Sequence, residues 1–254
     1  MAFVGAFFAS SFAPFNLMAT ETAPSTTAPA ETDHHHHPAH LEHHFVSSEQ
    51  QFSSAKLGMW IFLITEILLF AGMFVAYAVF RQWHPETFVV ASGTLDWVMG
   101  ATNTVVLLTS SLTVALSIHF IQKNEQRKSF YSLVTTVALA GVFLVVKYFE
   151  YTAKFEHGVF PGEAFDPHGV AHGVDYGALA AFPYAAQFFS IYFVMTGIHG
   201  FHVLVGIGVI GWIATRVYRG HFSGEYYTHV ELAGLYWHLV DIIWIFLFPL
   251  LYLI

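Results

Sequence analysis

LGMWIFLITEILLFAGMFVAYAVF, residues 57–80, carries a single charged side chain, Glu66. About 20 apolar residues cross the ~30 Å hydrocarbon core of a bilayer as a helix, so this stretch reads as a membrane span. Counted from Lys56, Glu66 lies ~15 Å along the helix axis at 1.5 Å per residue, near the bilayer midplane. An ionised carboxylate is costly at that depth. A glutamate there faces protein and marks function or a specific polar contact.

The rest of the chain suits the same solvent. Of its 254 residues, 56% are hydrophobic and only 10% are charged, against about 25% charged in a soluble domain. Four further apolar segments follow, 97–121, 130–151, 184–217 and 232–254. The fourth span of the five is long enough to tilt or to project beyond the bilayer. No strand-like alternation is present, so the spans must satisfy their own backbone as helices. The formal charge of −8 sits mainly in the tail and loops, with no basic patch for nucleic acid. Cysteine is absent, which excludes disulfides, iron–sulfur clusters and thiolate metal sites.

Residues 1–50 differ from the remainder. The first twenty are mildly apolar but broken by Ser10, Ser11 and Pro14 and lack the basic start of a signal peptide; Met18 is an alternative initiator. Ala19 to Asp33 is rich in Thr, Ala, Pro and Glu, a composition that predicts a disordered tail. His34, His35, His36, His37, His40, His43 and His44 then form a cluster. Imidazoles suit copper, nickel and zinc, but an ordered site needs fixed geometry and supporting hydrogen bonds, and a solvated tail supplies neither.

Lysine and arginine orient the bundle. Lys56, Lys123, Arg127, Lys128, Arg216 and Arg219 fall on the side of the N-terminus; Arg81, Lys147 and Lys154 fall on the other. The positive-inside rule then places the N-terminus inside and the C-terminus outside, and the acidic 159–182 loop faces outward. The expected fold class is an all-α integral membrane protein, a bundle of five transmembrane helices.

The remaining ionisable residues of the spans come mostly in pairs three apart: Lys147 and Glu150, His199 and His202, His238 and Asp241. Residues at i and i+3 share a helix face, so each pair makes a polar patch, and such patches are expected to turn inward and meet. Lys147 and Glu150 lie near the outer boundary, where snorkelling eases their cost. Glu66 is expected to hydrogen-bond His199 or His202. Several chemistries use such groups. Haem b needs histidines on facing helices at matched depth, a dinuclear metal site needs Glu-x-x-His on inward faces, and a proton pathway needs a relay through Glu66. A polar cluster that fixes helix packing needs none of these. No Glu-x-x-His occurs within a span, and no phosphate loop or nucleophile elbow is present.

Five segments together carry a resemblance. Ile64-Thr-Glu66-Ile, Asn103-Thr-Val-Val-Leu-Leu-Thr-Ser-Ser111, Lys147-Tyr-Phe-Glu150-Tyr151, Thr196-Gly-Ile-His199-Gly-Phe-His202 and Tyr236-Trp-His238-Leu-Val-Asp241-Ile-Ile-Trp244 resemble, in order, motifs of subunit III of the haem–copper cytochrome oxidases. The similarity runs from about Lys56 to the C-terminus. It implies a subunit with no redox centre of its own. Such a subunit packs against subunit I, which holds haem and copper, beside subunit II and, in some complexes, a small subunit IV. It binds phospholipid, supports proton uptake and prolongs the working life of the enzyme.

The resemblance makes Glu66 the family's carbodiimide-reactive carboxylate. It makes Arg216, His221 and Ser223 lipid head-group contacts, in keeping with phosphate recognition at the inner boundary. Longer family members have seven spans, and this chain lacks the first two, which elsewhere form one wall of a lipid-filled cleft. Five-span members are typical of bacterial oxidases, so a bacterial plasma membrane is expected. Similar third subunits serve quinol oxidases and nitric oxide reductases, and that role is the alternative. An autonomous proton channel built on Glu66 is the reading of a different class, but the internal repeats and broken helices common in transporters are missing.

Overall fold

A computed structural model describes residues 48–162, 165–171, 174–224 and 226–254. Its helices are α1 (Ser48–Trp83), α2 (Pro85–Ser92), α3 (Trp97–Gln122), α4 (Gln126–Glu156), α5 (Ala185–Tyr218) and α6 (Thr228–Tyr252). All but α2 are long and apolar enough to cross a membrane. The chain is a multi-pass, all-helical membrane protein. The described part of the loop between α4 and α5 carries a two-residue strand pair, Val170–Ala171 against Val174–Asp175, and a 3-10 helix, Tyr176–Ala181.

The helices overrun the apolar segments. Ser48, Glu49 and Gln50, assigned to the tail by composition, form the first turn of α1, and α6 begins four residues before its apolar stretch. The overhanging turns are anchored by polar contacts that an apolar count does not see: Lys56 Nζ lies 2.7 Å from a Glu231 carboxylate oxygen, joining the N-terminal parts of α1 and α6. The histidine cluster lies outside the described residues.

Start and stop chemistry fixes the turns between spans. Asp96 caps α3, accepting from the Val98 and Met99 amides. Three helices end alike, in a left-handed residue whose amide and its successor's bond back to the last turn. Asn124 (φ 59°) does this after α3, Gly158 (φ 66°) after α4 and Gly220 (φ 74°) after α5. At Gly158 a β-carbon would also stand 2.1 Å from the Asp166 carbonyl oxygen, so the turn admits glycine alone.

Helices α3, α4, α5 and α6 form the body of the bundle, with the α3–α4 hairpin the most extensive contact. Its core is aromatic: Phe143, Phe188, Tyr192, Trp237 and Trp244 are fully buried or nearly so. Helix α1 leans on α5 and α6 along one edge and exposes the rest of its surface; Leu57, Ile61, Leu68 and Val75 are each more than half exposed. That surface belongs to lipid or to partner subunits, since water would not tolerate it. The short α2, which composition does not signal, tucks Phe88 between Tyr77 and Phe188. Its Ser92 hydroxyl donates to the Leu251 carbonyl, 2.8 Å away.

Candidate functional site

Glu66 meets the fifth helix. Its carboxyl Oε2 lies 2.8 Å from His202 Nε2, and the two side chains retain 17% and 13% exposure on the lateral surface of the bundle. His202 Nδ1 lies 2.8 Å from the Ile198 carbonyl oxygen. A carbonyl only accepts, so Nδ1 carries a proton. The Nε2···Oε2 contact then holds one shared proton, as carboxylic acid to imidazole or as imidazolium to carboxylate. The pair is neutral in either form, which suits its depth in the membrane. Phe70 packs edge-on against the imidazole, and the Tyr236 hydroxyl donates to the His202 carbonyl at 3.0 Å, so α1, α5 and α6 converge at this point.

His199 does not take part. It is fully buried, with its ring against Phe143 and Trp244 (centroids 5.5 and 5.2 Å away). Helix α1 meets α5 at His202, whereas the ring of His199 is enclosed by Phe143 of α4 and Trp244 of α6, and this divides the two histidines. His238 likewise turns to another helix rather than to Asp241: its Nδ1 is hydrogen-bonded to the Ser111 hydroxyl on α3. His199, His202 and His238 therefore face different neighbours, and the polar patches do not merge into one cluster.

Lys147 and Glu150 depart furthest from expectation. They are 6% and 3% exposed, buried in the bundle rather than snorkelling to the interface. Lys147 Nζ donates to Glu150 Oε2 at 2.9 Å, to the Tyr252 hydroxyl at 3.0 Å and to the Tyr192 hydroxyl at 3.2 Å. Tyr192 and Tyr252 in turn donate to Glu150 Oε1 at 2.7 and 2.6 Å. All three ammonium protons are matched, and four aromatic rings surround the cation within 5.7 Å. Such full satisfaction is what makes a buried ion pair tolerable.

Lys154, one turn beyond Glu150 on the same face, is also buried and donates to the Thr94 carbonyl and the Tyr176 hydroxyl. The 147/150/154 spacing was the available signal for this column. Its tyrosine partners come from distant segments and had none.

Arg216, His221 and Ser223 all lie where α5 turns into α6. The Arg216 guanidinium rests over Trp212 at 4.7 Å, His221 is exposed, and Ser223 closes a tight turn with Tyr226. Between α4 and α5 a groove of about 600 Å³ opens to the side, walled by Tyr148, Phe155, Phe201 and Leu204 and floored by Gly197 and Gly200. Among the described residues no group of three or more histidine, aspartate or glutamate side chains is arranged to hold a metal ion.

Helices, motifs and polar pairs meet in one family. The chain matches the description "Cytochrome c oxidase subunit III" over residues 39–175 and 168–254. It belongs to the cytochrome c oxidase subunit III family. Cytochrome c oxidase subunit 3 of Thermostichus vulcanus is 33% identical, over 78% of this chain and 86% of that protein. The subunits of Pylaiella littoralis and Arabidopsis thaliana are 31% and 29% identical over 78% of this chain, which spans 65% and 67% of their length. The chain is thus a subunit of a terminal oxidase complex.

Proposed function

We propose that this chain is the accessory third subunit of a proton-pumping haem–copper oxidase that passes electrons from cytochrome c to oxygen in a bacterial plasma membrane. It carries no redox centre, packs against subunit I beside subunit II, binds phospholipid, and sustains proton uptake and the working life of the enzyme. The observation that carries this reading is the Glu66–His202 pair. It is a one-proton site held at bilayer depth on a partly exposed lateral face, where lipid or a partner can reach it. A proton channel acting alone would need the site to be enclosed and continuous with both surfaces.

The orientation reading, N-terminus inside, gains support from burial. Of the three outer-side cations, Lys147 and Lys154 are buried in the bundle and so leave only Arg81 against six on the inner side. Phospholipid head groups are assigned to the inner turn, where Arg216 and His221 present cationic or hydrogen-bonding groups beside Trp212. Acyl chains take the exposed flanks of α1 and the groove between α4 and α5.

The deciding experiment is Glu66→Gln in the assembled oxidase, with initial oxygen consumption, proton uptake and activity over many turnovers followed together. Initial activity is expected to persist while proton uptake slows and the active lifetime shortens. Unchanged uptake and lifetime would refute a proton role for Glu66. Failure of subunits I and II to co-purify would refute the assignment to that complex.

A further inference from the structure

Helix α1 carries a cation toward each end. Twenty-five positions separate Lys56 from Arg81, which is ~38 Å along an unbroken helix at 1.5 Å per residue. A bilayer measures about 30 Å across its hydrocarbon and about 40–45 Å with its head groups. Both cations therefore stand in head-group layers. Trp83, Trp97 and Tyr184, exposed where α1 ends and α3 and α5 begin, mark the layer on the Arg81 side independently. Lys56 is paired with Glu231 at 2.7 Å. Arg81 makes no ion pair among the described residues.

Arg81 also lines a space. A cleft of about 340 Å³ opens beside it, bounded by Tyr77, Ala78 and Gln82 of α1, Pro85 of α2 and Leu250 of α6. One wall is fixed, because Tyr77 is 1% exposed and its hydroxyl donates to the Leu250 carbonyl. The Arg81 side chain is hydrogen-bonded to the same hydroxyl. One oxygen satisfies only part of a guanidinium, which carries five N–H donors. From the cleft an exposed stripe runs along α1 toward the membrane centre. Ala78, Val75, Gly72 and Leu68 follow one another at three- and four-residue steps and so share a face. Val75 and Leu68 are 63% and 65% exposed, and a β-carbon at Gly72 would meet no atom of this chain within 4 Å.

A cation without a counter-charge in the head-group layer, beside a cleft and above an apolar stripe, matches the two-part chemistry of a phospholipid. We propose that Arg81 binds the phosphate of a membrane phospholipid whose acyl chain lies along the Leu68–Ala78 face of α1. The planar guanidinium donates to two phosphate oxygens at once, and the Gln82 amide supplies a further donor at the rim. The volume selects a head group over a protein partner: it is about 7 Å on a side, too narrow for a helix about 10–12 Å across. Five alternating crossings bring the end of α5 to the Lys56 side, so this site lies at the boundary opposite Arg216. It extends the phospholipid binding proposed above to the second leaflet and does not rest on the role given to Arg216.

The test uses the intact oxidase complex, purified without phosphate buffer and imaged in nanodiscs of phosphatidylglycerol and phosphatidylethanolamine. A lipid phosphate is expected with an oxygen about 2.7–2.9 Å from an Arg81 nitrogen, its acyl density running past Val75. A partner subunit's carboxylate in that position, or a cleft without ordered lipid, would overturn the proposal. Lipid counting by native mass spectrometry gives a second readout. Arg81→Gln should release one phospholipid that the wild-type complex retains through detergent. Lys128→Gln removes an exposed cation elsewhere on the chain and should release none. An unchanged count in Arg81→Gln, or an equal loss in Lys128→Gln, counts against the site. Arg216→Gln probes the other head-group assignment separately, so the failure of one is distinguished from the failure of the other.

Discussion

The Tyr252 hydroxyl donates to Glu150 Oε1 over 2.6 Å, joining the last turn of α6 to the C-terminal half of α4. Tyr192 supplies the matching bond from α5, so three helices are registered on one carboxylate whose charge is offset by Lys147. Removing one member of a buried pair strands the other. Lys147→Met is expected to cost ~3–5 kcal/mol of stability. Lys147→Met with Glu150→Gln is expected to recover most of that, since the neutral amide oxygen still accepts from both tyrosines. Thermal denaturation of the detergent-solubilised complex measures both; a double variant no better than the single one would contradict the pin.

Reactivity toward an apolar carbodiimide should distinguish the acidic residues of the membrane. The reagent attacks a protonated carboxyl that it can reach from lipid. Glu66 is part-exposed at the lateral surface and shares its one proton with His202, whereas Glu150 is 3% exposed and ion-paired. Peptide mass spectrometry after labelling should find the adduct on Glu66 and not on Glu150. The signal should vanish in Glu66→Gln and remain when Lys56 or Glu231 is changed. Modification of Glu150 at a comparable level would mean that the column is open to lipid.

The span architecture was legible in hydropathy because a bilayer imposes length and apolarity on every crossing segment, and Glu66, alone in its span, announced a partner. Which histidine it would meet was not legible. His199 and His202 stand three residues apart, and only the placement of α1 against one flank of α5 selects His202. The sequence makes Lys147 interfacial, because counting residues gives depth along a helix but not which neighbours surround it. Its acceptors, Tyr192 and Tyr252, lie 45 and 105 residues away. The short α2 is not legible because eight residues carry too little periodicity, even with Pro85 at its first turn.

The loop between α4 and α5 should respond to alkaline pH through Tyr176. Burial raises its phenol from the ordinary value of 10.0 to about 12, and its hydroxyl donates to the Thr94 carbonyl at 2.9 Å while accepting from Lys154. A pKa higher in the folded than in the unfolded chain stabilises the fold fully below pH 10. That contribution is then lost as pH rises through 12. The wild-type minus Tyr176→Phe difference in phenolate absorbance should titrate near pH 12. Titration of that difference near pH 10 would mean that the phenol is solvated. The same variant removes the Lys154 acceptor at any pH and should cost on the order of 1–3 kcal/mol by leaving a buried donor unmet.

The glycines of α5 should divide by neighbour. A β-carbon at Gly206 would lie 2.6 Å from Trp237 Cζ3, deep between α5 and α6, whereas one at Gly208 would meet no atom of this chain within 4 Å. Trp237 cannot retreat, because it is 1% exposed and its indole N–H is held by the Ser110 hydroxyl at 3.0 Å. Gly206→Ala therefore overpacks the helix pair and is expected to cost about 1–3 kcal/mol. Gly208→Ala has no such cost within the subunit and gains a little helix propensity. Its effect in the assembled oxidase reports what lies outside α5. Unchanged thermal stability there means that lipid covers this face. A loss of stability in the complex comparable to that of Gly206→Ala means that a partner helix approaches the bare backbone at Gly208, as small residues permit in membranes.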